Sequence, residues 1–139
     1  MFRGFATLSF YADDLTAAQE WYAELLEVPA YYAFPPPPAA AAYVEFRVGD
    51  DGDELGLIDR RYAPAGLPES AGGAVMYWHV DDLTGTLTKL LDMGATEYGP
   101  VTERGSGFTT ASVVDPFGNV LGIMHNPHHL EVLASRTPE

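Results

Sequence analysis

Residues 13–16 and 81–84 are the same four residues, Asp-Asp-Leu-Thr, and the chain on either side of them repeats as well. Ahead of the first copy, Ala6-Thr7-Leu8-Ser9-Phe10-Tyr11 alternates with the period of a half-buried strand. Behind it, Leu15, Ala18, Tyr22, Leu25 and Leu26 fall at helical spacing. Asp13 or Asp14 supplies the N-cap, with its negative charge at the positive end of the helix. The second copy has the same plan. Residues 74–80 are strand-like, Asp81 and Asp82 stand at the cap, and Leu83, Leu87, Leu90 and Leu91 form the apolar stripe of a helix that Gly94 should stop.

The segments after the two helices correspond too. The first half offers strands near residues 30–34, 42–48 and 54–59, the second near 97–103, 108–114 and 120–125, and Gly-containing turns join the last two of each set. Leu55-Gly56-Leu57-Ile58 matches Leu121-Gly122-Ile123-Met124, so the copies lie 68 residues apart at the first word and 66 at the Leu-Gly pair. The register predicts an α+β fold, a βαβββ module written twice. The first module spans residues 1–61, a Pro-, Ala- and Gly-rich linker 62–73, the second module 74–127, and a polar tail 128–139. Pro35 to Pro38 interrupt the first module and predict a stiff, extended rim segment.

Composition removes several function classes. The chain has no cysteine, so disulfides, thiolate metal sites and cysteine nucleophiles are excluded. No apolar run approaches the ~18 residues of a membrane span and no export signal is visible, so a cytoplasmic protein without membrane contact is expected. The formal charge is −13, from 20 acidic and 7 basic residues. That disfavours nucleic acid as a partner and suits solubility, or attraction of a cationic ligand.

The two modules, the Asp14-Leu15 helix start with Trp21-Tyr22 after it, and the closing stretch DPFGNVLGIMHNP at 115–127 resemble the vicinal oxygen chelate superfamily. That superfamily includes glyoxalase I, extradiol dioxygenases, and bleomycin and fosfomycin resistance proteins. The resemblance covers about residues 5–127, and it implies curled mixed sheets that pair to surround a ligand. It also implies where metal-dependent members take their ligands. Seven residues before Asp14 and Asp82 stand Thr7 and Val75; seven after Asp115 stands Gly122, which the repeat maps onto Gly56. None of the four brings an imidazole, carboxylate or thiolate. No metal and no cofactor is therefore expected.

Strand alternation then nominates a ligand-binding set of Thr7, Ser9, Tyr11, Gly56, Val75, Tyr77, His79, Gly122 and Met124. Ile58, Arg60 and Asn126 fall on the same faces, and the two glycines are expected to leave open room. His79 suits acid–base work near neutral pH, with Tyr11 as its pseudo-symmetric partner, against the plainer reading of a histidine hydrogen-bonded within the fold. The faces of Glu45 and Arg47 stay open. His125, His128 and His129 invite a zinc reading, but Pro127 interrupts them and a strand end running into the tail is favoured. The expectation is metal-independent binding of a small organic molecule, cationic or aromatic. The alternative is a lyase, isomerase or dioxygenase-type enzyme using His79 or an unconventional metal site. A homodimer is expected, because Trp21, Tyr22 and the Pro-rich rim offer more apolar surface than two helices cover.

Overall fold

The computed structural model describes residues 1–136. The chain divides into two compact units, the first Met1–Glu69 and the second beginning at Ser70. Each unit is a βαβββ module around a mixed four-stranded sheet.

In the first unit the order of elements is β1 (Thr7–Ala12), α1 (Leu15–Leu26), β2 (Tyr32–Phe34), β3 (Tyr43–Val48) and β4 (Asp53–Asp59), then a 3-10 turn, Arg60–Tyr62. Asp14 is the N-cap of α1, accepting the Ala17 N–H at 3.0 Å. The sheet order is β1-β4-β3-β2, with β1 parallel to β4 and the other pairs antiparallel. Alternation sends Phe10, Val44, Phe46, Leu55 and Leu57 to one face, where they are buried with Leu15, Ala18 and Tyr22 of α1. The Phe10 and Tyr22 rings meet at 6.0 Å. Tyr22, expected to contribute apolar surface to a dimer, is fully buried in this core, because it shares the stripe of Leu15 and Ala18. The proline run is not an extended segment either. Strands β2 and β3 are antiparallel neighbours, so residues 35–42 must reverse the chain, and Ala39 N–H to Pro36 O (3.2 Å) and Ala42 N–H to Phe34 O (2.8 Å) close that turn.

The second unit runs β5 (Tyr77–His79), α2 (Leu83–Asp92), β6 (Thr96–Gly105), β7 (Phe108–Val114), β8 (Val120–His125) and α3 (Pro127–Ser135). Its sheet order, β5-β8-β7-β6, reproduces the first. Asp82 caps α2 through the Gly85 N–H at 3.0 Å, and Gly94 beyond the helix adopts φ +96°, the conformation a helix stop needs. Ala111, Val113, Leu121, Ile123 and Leu90 fill the core. Leu91 does not join Leu90 there: it is 43% exposed, since adjacent helical positions point about 100° apart. The strand expected over 74–80 shrinks to three residues, because Gly72 and Gly73 precede it and only Tyr77–His79 pair with Gly122–Met124. Residues 128–135, read as polar tail, belong to a helix that begins at Pro127. Asn126 caps it through the His129 N–H at 2.9 Å and Pro127 occupies the first turn, a start signal hidden among the histidines. Among the described residues, no helix is long and apolar enough to cross a membrane.

Candidate ligand-binding faces of the two sheets

In each unit the face of the sheet turned away from the core carries the nominated residues. In the first, Thr7, Ser9 and Tyr11 of β1 register with Glu54, Gly56 and Ile58 of β4. The latter three register in turn with Arg47, Glu45 and Tyr43 of β3, and Tyr32 and Phe34 of β2 complete the row. Glu45 and Arg47 therefore belong to this face, which alternation along β3 alone leaves open. In the second unit Tyr77 and His79 register with Gly122 and Met124, which register with Ser112 and Thr110 of β7. Val75 lies outside β5 and is half-buried.

The two glycines do not leave open room. A Cβ on Gly56 would stand 2.7 Å from Cε2 and 2.8 Å from the hydroxyl of Tyr43. A Cβ on Gly122 would stand 2.7 Å from Cδ1 of Tyr77 and 2.8 Å from the Met76 carbonyl oxygen. At both repeat-equivalent positions a tyrosine ring covers the backbone, and only glycine admits it that closely. Tyr43, absent from the nominated set, was detectable in the sequence only as a tyrosine two residues from Glu45.

The polar groups of the first face are wired together. The Thr7 hydroxyl donates to Glu54 Oε2 at 2.5 Å, and Arg47 Nη1 lies 2.9 Å from Glu54 Oε1. Those contacts, the Thr7 bond foremost, hold the Glu54 carboxyl below the usual range. The Tyr43 hydroxyl donates to Glu45 Oε1 at 2.5 Å. Burial, then the Glu54 charge, raises the pKa of both Glu45 and Tyr43, and Arg47 opposes the rise. Arg60 is drawn to Asp13 at 3.1 Å. The second face is hydroxyl-lined, with its hydroxyls buried: Ser112 is 3% and Thr110 9% exposed, and Thr110 receives the Nε–H of Arg104 at 3.1 Å.

His79 sits at the end of β5, its side chain 9% exposed. Its Nδ1 accepts the backbone N–H of Asn126 at 3.0 Å, so the neutral ring carries its proton on Nε2. That Nε2 is buried without a hydrogen-bond partner; the Asp81 carboxylate is 3.6 Å away, too far for a hydrogen bond. The ring lies 5.3 Å from that of His125 and stacks on His129 at 5.6 Å. Burial first, then the two neighbouring histidines, lowers the His79 pKa. With Nδ1 engaged and the proton on Nε2, neither nitrogen offers a lone pair to a metal. His128, the remaining histidine of that group, lies 3.8 Å from the Glu131 carboxylate. Among the described residues no group of three or more His, Cys, Asp or Glu is arranged to hold a metal ion.

Comparison with known proteins adds the family. No curated protein matches the sequence. Among solved structures, a protein from Agrobacterium tumefaciens, ATC0852, superposes with a TM-score of 0.68 at 19% identity, covering 86% of this chain and 93% of its own. A glyoxalase-related enzyme from Fulvimarina pelagi gives 0.68 at 16% identity, over 91% and 90% of the two chains. A glyoxalase/bleomycin resistance protein from Catenulispora acidiphila gives 0.58 at 21% identity, over 87% and 96%. At these identities the likeness is one of fold. The family model of the Glyoxalase/Bleomycin resistance protein/Dioxygenase superfamily matches residues 4–123, nearly the whole repeat, and the chain belongs to that superfamily.

Proposed function

We propose that this protein binds a small organic molecule on its tyrosine-bearing sheet faces, through side chains alone and without a metal ion. One observation carries the reading. At Gly56 and Gly122, where the family resemblance would place metal-binding carboxylates, there is no donor side chain and a tyrosine ring lies over the backbone. Thr7 and Val75 complete a set with no imidazole or carboxylate, which does not fit a divalent transition metal. Aromatic rings with a few fixed polar groups suit an organic ligand. Ser9, Tyr11, Tyr77 and Met124 supply further contact surface. His79 serves from the margin, holding Asn126 and hence the start of α3.

The test is to incubate purified protein with metabolite pools, recover what is retained, and identify it by mass spectrometry beside elemental analysis. A retained compound released unchanged, with no stoichiometric metal, is the expected result. A chemically altered product, or one equivalent of zinc, nickel, manganese or iron lost on mutation of the sheet faces, would overturn it. Self-association belongs to the same proposal: Phe2, Phe5 and Tyr62 are exposed at 103, 111 and 62%. Light scattering at micromolar concentration should give a dimer; a monomer of 15.1 kDa would remove that part.

A further inference from the structure

The open face of the first sheet carries two carboxylates whose surroundings set them apart. Glu54 is compensated by the Thr7 hydroxyl and the Arg47 guanidinium. Glu45 has the Tyr43 phenol on one oxygen and, among the described residues, no hydrogen-bond partner on the other. It is half-buried, and Arg47, whose charge opposes the rise in its pKa, is already engaged by Glu54 and by the Gly52 carbonyl at 3.2 Å. Aromatic rings flank it. Tyr32 registers directly opposite Glu45, Tyr43 precedes it by two residues on the same face, and the two rings meet edge-on at 6.2 Å and 62°. Tyr32 is 48% exposed, so one side of this corner is open. The rings of this unit already receive a cation: the Arg47 Cζ lies 4.8 Å from the centre of the Tyr31 ring.

Resting on the binding function proposed for these faces, we propose that Tyr32, Tyr43 and Glu45 form a receptor for an organic ammonium group. An ammonium on a small organic frame is attracted to the ring faces and adds positive charge beside Glu45, whose neighbour Arg47 is bound to Glu54. A neutral ligand leaves that carboxylate with only the field of Arg47, and an anionic one is repelled by it. The Gly56 backbone lets the outer end of the Tyr43 ring lie against the strand while its hydroxyl donates to Glu45. The raised pKa of Glu45 adds a signature: a bound cation favours the ionised carboxylate, so affinity rises with pH through the Glu45 titration and binding releases a proton.

Titration of the full chain, monitored by amide NMR and calorimetry, decides the matter with three probes: benzyltrimethylammonium, benzyl alcohol and benzoate. The ammonium should bind at least about tenfold more tightly than the alcohol, from the cation–π and charge contributions together. Its shifts should centre on Tyr32, Tyr43 and Glu45. Glu45→Gln should remove the preference, and Tyr43→Phe should weaken it while amide spectra stay native. Affinity of the wild type should increase with pH across the Glu45 titration, and that of Glu45→Gln should not. Equal or tighter binding of the alcohol or benzoate on the sheets would overturn the ammonium receptor and leave the binding function standing. Ammonium preference unchanged in Glu45→Gln would do the same. Shifts by none of the three probes would overturn the ammonium receptor, and the binding function would then stand or fall on retention of a compound from the metabolite pools.

Discussion

The two modules share a backbone plan and meet one requirement, covering a glycine on the last strand, in opposite ways. Gly56 pairs with Ser9 of the parallel strand and Glu45 of the antiparallel one; Gly122 pairs with Tyr77 and Ser112. In the first module the parallel strand offers a small residue, and the ring comes from Tyr43 on the antiparallel side. In the second the ring is Tyr77 on the parallel side, and the antiparallel strand offers Thr110 and Ser112. The consequence is chemical. The first face keeps charge, with Glu45, Glu54 and Arg47, whereas the counterpart of Glu45 in the second is Ser112, 3% exposed. A repeated fold thus fixes where the faces lie, and the side chains on neighbouring strands decide which face carries the paired carboxylates and which carries hydroxyls.

The most severe test of this contrast is a methyl group added at each glycine. In Gly122→Ala the new Cβ meets the Met76 carbonyl, which cannot rotate away, so a loss of about 2–3 kcal/mol is expected. In Gly56→Ala it meets only the outer end of the Tyr43 ring, which can swing aside, so the loss should be about 1 kcal/mol or less. Urea denaturation of the pair measures the difference, and equal losses would contradict the assignment.

The turns before the last strands differ next. Asp115, 3% exposed, accepts the N–H groups of Phe117 and Asn119 at 2.9 and 2.8 Å and the Asn119 side chain at 3.1 Å. Asp115→Ala should cost about 2 kcal/mol, since it strips backbone donors of their acceptor. Exposed Asp50 in the equivalent turn of the first module should tolerate alanine within about 0.5 kcal/mol. A melt in which the two variants lose the same stability would show the turns to be equivalent after all.

The helix caps should show no difference between modules. Asp14 and Asp82 each accept an N–H at 3.0 Å, so each alanine substitution should cost about 1 kcal/mol, and a disparity of twofold or more would reveal unequal docking of α1 and α2.

The smallest effect is pH-dependent and confined to the second module. Because the folded-state pKa of His79 is lowered, the unfolded chain takes up the proton first as pH falls. The stability His79 confers is complete above its ordinary value of about 6.5 and is lost as pH drops from there toward the folded value. Protonation also turns Nδ1 into a donor facing the Asn126 N–H, so amides at the start of α3 should exchange faster in that window. His79→Gln, which keeps an acceptor without titrating there, should flatten the dependence. Persistence of the full pH effect in that variant would assign it to another group.

Much of the fold was legible because it rests on local periodicity. The duplicated Asp-Asp-Leu-Thr word marked both caps, and alternation in β1 assigned Phe10 to the core and Thr7, Ser9 and Tyr11 to the open face. Legibility failed where a neighbour rather than the local pattern decides. The length of β5 depends on how far β8 pairs with it, and the proline run turns because its flanking strands are antiparallel partners. Asn126-Pro127 did carry a helix-start signal, masked by the reading of His125, His128 and His129 as a strand end and tail.

Residue type and spacing along the chain were enough for the duplication, the α+β class, the resemblance that the family model bears out, and the want of imidazole, carboxylate or thiolate at Thr7, Gly56, Val75 and Gly122. It took the folded chain to establish that Tyr43 and Tyr77 close over the glycines, that Glu45 holds the Tyr43 hydroxyl while Arg47 is bound to Glu54, and that His79 spends Nδ1 on Asn126. The Tyr43–Gly56, Tyr77–Gly122 and His79–Asn126 contacts join residues 13, 45 and 47 positions apart in the chain, set by pairing register and side-chain reach. No local pattern encodes them.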